Sequence, residues 1–271
     1  MDVTKPLLHQ SSSDSRIMRR LLTSLVVVTI YWWAIQGTNT SLTHILEGIP
    51  FMAGYIKRMF PPDLSIINRL MVGAAETIQI AIMGTTLGAL VALPLSFLAA
   101  RNVMAVRVIY QATRSLFDVC RAVNEIVWAL LFVAMVGLGP FPGVLALAVH
   151  LVGALGRYFS EAIETANPEV IKAIVATGAN RTLVVVHGIL SEIKPLIMGY
   201  VLYYFEHSVR AATILGLVGA GGIGFELITS IRLFKSQEVL TTLIVMMLMV
   251  VAVDRISAYV RNRIVQVEVI E

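Results

Sequence analysis

From Thr77 to Ala100 the chain runs for 24 residues without a charged side chain. At about 1.5 Å of rise per residue, such a run crosses the ~30 Å hydrocarbon layer of a bilayer as one tilted helix. Composition points the same way, with 57% hydrophobic and 14% charged residues, far outside the soluble range. The expected fold is therefore all-α, a polytopic membrane helical bundle. The 271 residues suffice for one bundle of about six helices, and not for a bundle plus a nucleotide-binding domain. A single cysteine, Cys120, excludes a disulfide framework and a cysteine metal site.

Taken in order, residues 1–20 read as a polar cytoplasmic tail with a basic cluster at Arg16, Arg19 and Arg20. Residues 21–37 form an apolar run with Trp32 and Trp33 near its far end, as interfacial aromatics should be. No small-x-small cleavage site follows, so this run reads as a retained first span rather than a signal peptide. Residues 38–70 carry Ile45, Ile49, Met52, Ile56 and Met59 at helical spacing, which predicts an amphipathic helix that lies on the periplasmic surface or simply packs against the bundle. Residues 71–263 read as the main transmembrane domain, and 264–271 as a tail.

Two spans run short of apolar residues. Only Ile126–Val136 is uncharged before the GLGP break at 137–140. A helix of about 20 residues ending there starts near Asp118 and takes Asp118, Arg121 and Glu125 into its inner half. Pro195–Phe205 is likewise short, followed by Glu206, His207 and Arg210. At helical rise Glu206 stands ~16 Å and Arg210 ~22 Å above Pro195. Ionisable groups at that depth are functional candidates by default. Spaced four apart, Glu206 and Arg210 can also pair with each other and merely fix helix packing. Arg114, Asp118, Arg121 and Glu125 make an alternating ladder, for which a solvated or subunit-facing stripe is the plainer reading.

Charge places the ends. Of the 21 Lys and Arg, 14 fall in inner segments under a six-span topology. Lys57, Arg58, Arg69, Arg232 and Lys235 fall outside, and Arg121 and Arg210 fall within spans. Positive charge accumulates on the cytoplasmic side, so both termini and the loop at 161–195 are expected there. Within that loop Asn167, Pro168 and Glu169 are an N-cap, a first-turn proline and a dipole-matched acid. Val170, Ile171, Ile174 and Val175 then make an apolar face until Gly178, and Asn180 can cap a second short helix. Two bent amphipathic helices form a knob suited to a partner's groove, or a plain connector.

The stretch Gly219-Ala220-Gly221-Gly222-Ile223-Gly224 matches G-x-G-x-x-G, but it follows a membrane span rather than a strand, so it is not a dinucleotide fingerprint. Its glycines allow a sharp turn, and the following helix start could aim N–H groups at an anion. The five histidines have no metal-ligand spacing, and no H-E-x-x-H, G-x-S-x-G or Walker A sequence occurs. Nothing here assembles a hydrolytic or nucleotide-binding site, so energy has to come from a gradient or a separate subunit.

These pieces resemble the permease subunit of phosphonate-type ABC importers, which also handle phosphite and hypophosphite. The resemblance rests on DVCRAVNEIVWALLFV (118–133), VGLGPFPGVLAL (136–147), ATGAN (176–180) and ATILGLVGAGGIG (212–224). The loop also approximates the importers' ATPase-docking pattern, with Ala173 and Gly178 matching, while Lys172 and Ser191 depart from it. The resemblance implies a type I importer transmembrane domain in the bacterial inner membrane. It implies a homodimer, two ATP-binding cassette ATPase subunits inside and a periplasmic phosphonate- or phosphite-binding protein outside. The bilayer is the remaining partner, and no nucleic acid is expected. No cofactor is expected on this chain; ATP and Mg belong to the ATPase.

On this reading Arg121, Asn124, Glu125, Glu206, His207 and Arg210 border the substrate path. Gly219, Gly221, Gly222 and Gly224 form the outer gate. Glu169, Lys172, Ala173, Thr177, Gly178, Ala179, Asn180 and Arg181 couple to the ATPase. The alternatives are a permease for another small substrate such as D-methionine, an ion-coupled secondary carrier, and an intramembrane enzyme. No inverted repeat favours the second, and no nucleophile or metal set supports the third.

Overall fold

The structure, a computed structural model, describes residues 11–38 and 42–268, without the side chains of residues 11–17, 42–45, 181, 262 and 264–268. Most of the expected N-terminal tail and the 264–271 tail thus lie outside the described side chains. The chain divides into two compact units, Met1–Arg58 and Met59–Glu271. The first holds α1 (Ser11–Thr38) and most of α2 (Leu42–Met59). They cover the expected first span and the amphipathic segment.

The second unit begins where Asp63 caps a 3₁₀ turn, its carboxylate accepting from the Ser65 N–H at 2.9 Å. The chain then enters α3 (Ile67–Leu98). It continues through α4 (Arg107–Ala122), α5 (Glu125–Val136), α6 (Pro140–Thr165) and α7 (Pro168–Ala176). A helical turn, α8 (Arg181–Leu183), passes through π turns at Val184–Leu190 into α9 (Ser191–Leu215), then come α10 (Gly222–Arg232) and α11 (Ser236–Glu268). Among the described residues there is no strand. Among the described residues five helical segments are long and apolar enough to cross a membrane, and six if the bent pair α4–α5 is one broken span.

Small residues let α3 and α6 approach closely. A Cβ added at Gly84 or Gly88 would stand 2.7 Å from the Cβ of Leu147 or Leu151, the close packing that membrane helices use in place of a hydrophobic drive. Leu147, Leu151, Leu155 and Phe159 on α6 are buried, and α6 is the central post of the bundle. Tyr200, Val201 and Tyr204 of α9 pack against the lower part of that row.

Two expectations need correction here. No helix runs unbroken from Asp118 to the GLGP break: α4 and α5 meet at 86°, so Glu125 opens a new helix and leaves the ladder. The second helix of the 161–195 loop does not stop before Pro195 either. It merges into α9, which contains Pro195, and its π turns absorb the misfit.

Candidate functional site

The break between α4 and α5 sits beside His150, ten residues below Pro140 and so about 15 Å below the start of α6. That is roughly mid-bilayer. A helix end at such depth exposes backbone groups that must find partners, and the sequence supplies them. Asn124 caps α5, its Oδ1 accepting from the Ile126 N–H at 2.9 Å. Trp128 Nε1–H donates to the Cys120 carbonyl at 3.3 Å, and His150 Nδ1 lies 3.3 Å from the Val123 carbonyl. Glycine brings the end of α4 onto α6: a Cβ at Gly153 would lie 2.5 Å from the Phe117 carbonyl oxygen.

At this break the ionisable residues converge. Glu125, at the positive end of α5, has a carboxylate oxygen 3.9 Å from His150 Nδ1, and both side chains are 15% exposed. His207, on α9, is within electrostatic reach of Glu125, His150 and Arg210, and stacks edge-on against Tyr204. Arg121 lies 3.4 Å from Asp118 and within reach of Tyr204. Four of the six expected path residues, Arg121, Asn124, Glu125 and His207, therefore lie around one level of the bundle, together with His150, which the sequence reading left unassigned. Glu206, next to His207 on α9, and Arg210, one turn from Glu206, are both turned toward α11.

Glu206 and Arg210 do not pair with each other, contrary to the i,i+4 expectation. Arg210 Nη1 donates to both carboxylate oxygens of Asp254 at 2.8 and 2.9 Å, and Arg261 Nη2 donates to Glu206 Oε1 at 2.6 Å. Both partners come from α11, antiparallel to α9, which offers a carboxylate acceptor to Arg210 and a guanidinium donor to Glu206.

The glycine turn is set at the outer end of this bundle. Gly219, Gly221 and Gly222 adopt φ of 93°, 76° and 72°, values that exclude most side chains. A Cβ at Gly224 would collide with the Thr213 carbonyl. The Gly139 N–H donates to the Gly219 carbonyl at 3.0 Å, tying the α5–α6 loop to this turn. The amides at the start of α10 are not open to an external anion: Gly222 N–H donates to Glu76 Oε2 and Ile223 N–H to Thr77 Oγ1, both at 2.9 Å. Sequence reasoning missed Glu76 because it borders the long uncharged run rather than interrupting it. Above this level Arg69 bridges Glu226 (2.9 Å) and Glu238 (3.1 Å), and Lys235 adds a contact to Glu238 at 2.6 Å.

The loop carries its expected caps. Asn167 Oδ1 accepts from the Glu169 N–H and Asn180 Oδ1 from the Leu183 N–H, each at 2.9 Å. Gly178 ends the first helix with φ of 79°. The Asn167 N–H donates to Glu192 at the head of α9 at 2.9 Å, tying the start of the loop to that span. Ile171 packs inward beside Ile189 and Ile193, while Val170, Val175, Leu183 and Val186 stay exposed. Glu169, Lys172, Ala173, Thr177 and Asn180 are exposed too, and Ala179 is half-buried. The side chain of Arg181 lies outside the described residues. Among the described residues no His, Cys, Asp or Glu group could hold a metal ion.

A family described as a binding-protein-dependent transport system inner membrane component matches residues 92–266. The putative phosphite transport system permease protein HtxC of Stutzerimonas stutzeri is 38% identical over 247 residues, covering 91% of this chain and 88% of that protein. The phosphite transport system permease protein PtxC of the same organism is 37% identical over 81% of this chain and 80% of its own length. Among solved structures, the MetNI methionine ABC transporter in its inward-facing conformation superposes with a TM-score of 0.64 at 19% identity, over 74% of this chain and 99% of the matched chain.

Proposed function

Because the chain belongs to the binding-protein-dependent transport system inner membrane component family, we propose that it passes phosphite, or a related small phosphorus oxyanion such as phosphonate or hypophosphite, into the cytoplasm. As a member of that family it is the membrane-spanning permease subunit of an ABC importer, in the bacterial inner membrane, and not itself an enzyme. It works with an ATPase subunit and a substrate-binding protein.

The cargo assignment rests on one observation. Two relatives spanning 91% and 81% of this chain are both named for phosphite transport, whereas the likeness to the methionine transporter is one of fold. In our reading two copies of the chain face each other, two ATPase subunits carrying ATP and Mg dock on the 161–195 loops, and a binding protein specific for the oxyanion docks outside. Exposed Val170, Val175, Leu183 and Val186 offer the apolar contact for docking, and the Asn167–Glu192 link carries the motion into α9. That motion rearranges the level of Glu125, His150, His207 and Arg210, while the glycine turn at 219–224 closes the outer side.

The test is uptake of radiolabelled phosphite by cells lacking the chromosomal copy and expressing wild type or Arg210→Ala. Wild type should restore uptake and Arg210→Ala should abolish it, with membrane insertion and ATPase assembly retained. Unchanged uptake in the variant removes Arg210 from the path. Absence of phosphite, phosphonate and hypophosphite uptake by wild type removes the cargo assignment.

A further inference from the structure

A second concentration of positive charge adjoins the expected path at Asp118, which Arg121 contacts at 3.4 Å. Between α4, the loop that precedes it and the inner half of α6 is a cavity of about 640 Å³, lined by Arg101, Arg107, Tyr110, Arg114, Asp118 and Arg157 among others. Its shape is held by its own contacts. Arg101 and Arg114 both lie over the Tyr110 ring, 5.5 and 4.8 Å from its centre, and Arg101 Nε donates to the Tyr110 hydroxyl at 2.8 Å. Arg114 is anchored by Glu164 at 2.9 Å and by the Ala99 carbonyl at 3.1 Å. Arg157 leans on Glu161 at 3.0 Å and reaches Asp118 only at 3.9 Å. Arg107 has no ion-pair partner among the described residues.

Four guanidinium groups thus meet one lining carboxylate, and the two neighbouring glutamates are engaged from the side. The excess is positive and sits where the chain reaches the cytoplasm. Planar guanidinium forks match a tetrahedral phosphorus oxyanion in geometry as well as charge. Basic pockets at the cytoplasmic ends of membrane helices take such groups from lipids. Beside Arg107, Val106, Val108 and Ile109 are exposed, an apolar strip along which acyl chains would lie.

We propose that this cavity is a binding site for a phosphate-type anion, carried either by an anionic phospholipid of the inner leaflet or as a free oxyanion in the cytoplasm. Arg107 and Arg157 are the contacting residues, and Arg101 and Arg114 are positioned by Tyr110 and Glu164. The inference does not depend on which cargo the protein moves.

The assay uses the intact transporter, permease with its ATPase, stripped of lipid in detergent. One arm measures retention of added phosphatidylglycerol by native mass spectrometry, and the other measures binding of inorganic phosphate by equilibrium dialysis. Wild type should bind in at least one arm, and the arm identifies the source. The Arg107→Gln/Arg157→Gln variant should bind at least about tenfold more weakly, as loss of charge-assisted contacts implies. If that variant fails to assemble, Arg107→Gln alone decides, since Arg107 is exposed and anchors nothing. Binding in neither arm, or equal binding by wild type and variant, overturns the proposal.

Discussion

Gly156 has no room for a side chain, because a Cβ there would run into the Phe117 ring. Gly156→Val should therefore force α4 off α6 and lower stability by about 1–3 kcal/mol, read as a lower thermal midpoint in detergent. A midpoint equal to wild type would show that the contact yields freely. The Glu206–Arg261 pair makes a second prediction at this scale. Glu206 is 10% exposed at its side chain, so Arg261→Ala strands a buried carboxylate and should cost about 3 kcal/mol. Arg261→Ala with Glu206→Gln should recover most of that loss, and no recovery would argue against the pairing. The sequence marked Glu206 and Arg210 as functional candidates and offered their pairing with each other as the alternative reading. Partners 55 and 44 positions away become visible only when α11 is laid beside α9, and local spacing carries no such information.

At the level of elements, the decisive feature is the break before Glu125. The shortness of the apolar run Ile126–Val136 was read, but as one helix begun near Asp118; Asn followed by an acid is a helix-start signature that this reading passed over. The 86° bend was not legible, because it depends on Gly153 and His150 of α6 accepting the end of α4. Asn124→Ala should remove the cap and cost about 1 kcal/mol. It should also reduce uptake, since α5 would no longer start at a fixed point. Unchanged uptake in assembled transporter would mean that the break tolerates fraying. In the loop, Gly178 adopts φ of 79° and its N–H donates to the Val175 carbonyl. Proline can satisfy neither condition, so Gly178→Pro should leave ATP hydrolysis running while transport fails. A variant with coupled transport would make the loop a plain connector.

As a whole molecule, the chain has spans, a mid-bilayer level of ionisable groups and a cytoplasmic loop tied to α9, with no ATPase site of its own. The span order and the helical class followed from apolar runs and the distribution of Lys and Arg, since bilayer thickness imposes both. The gathering of Glu125, His150 and His207 did not follow, because it brings together α5, α6 and α9, which are far apart along the chain. The most direct measurement is phosphite accumulation in proteoliposomes containing this chain alone, and containing it with its ATPase and binding protein, with and without ATP. Accumulation is expected only in the full assembly with ATP. Robust accumulation by this chain alone, or by the full assembly without ATP, would contradict the idea that force reaches the path through the loop.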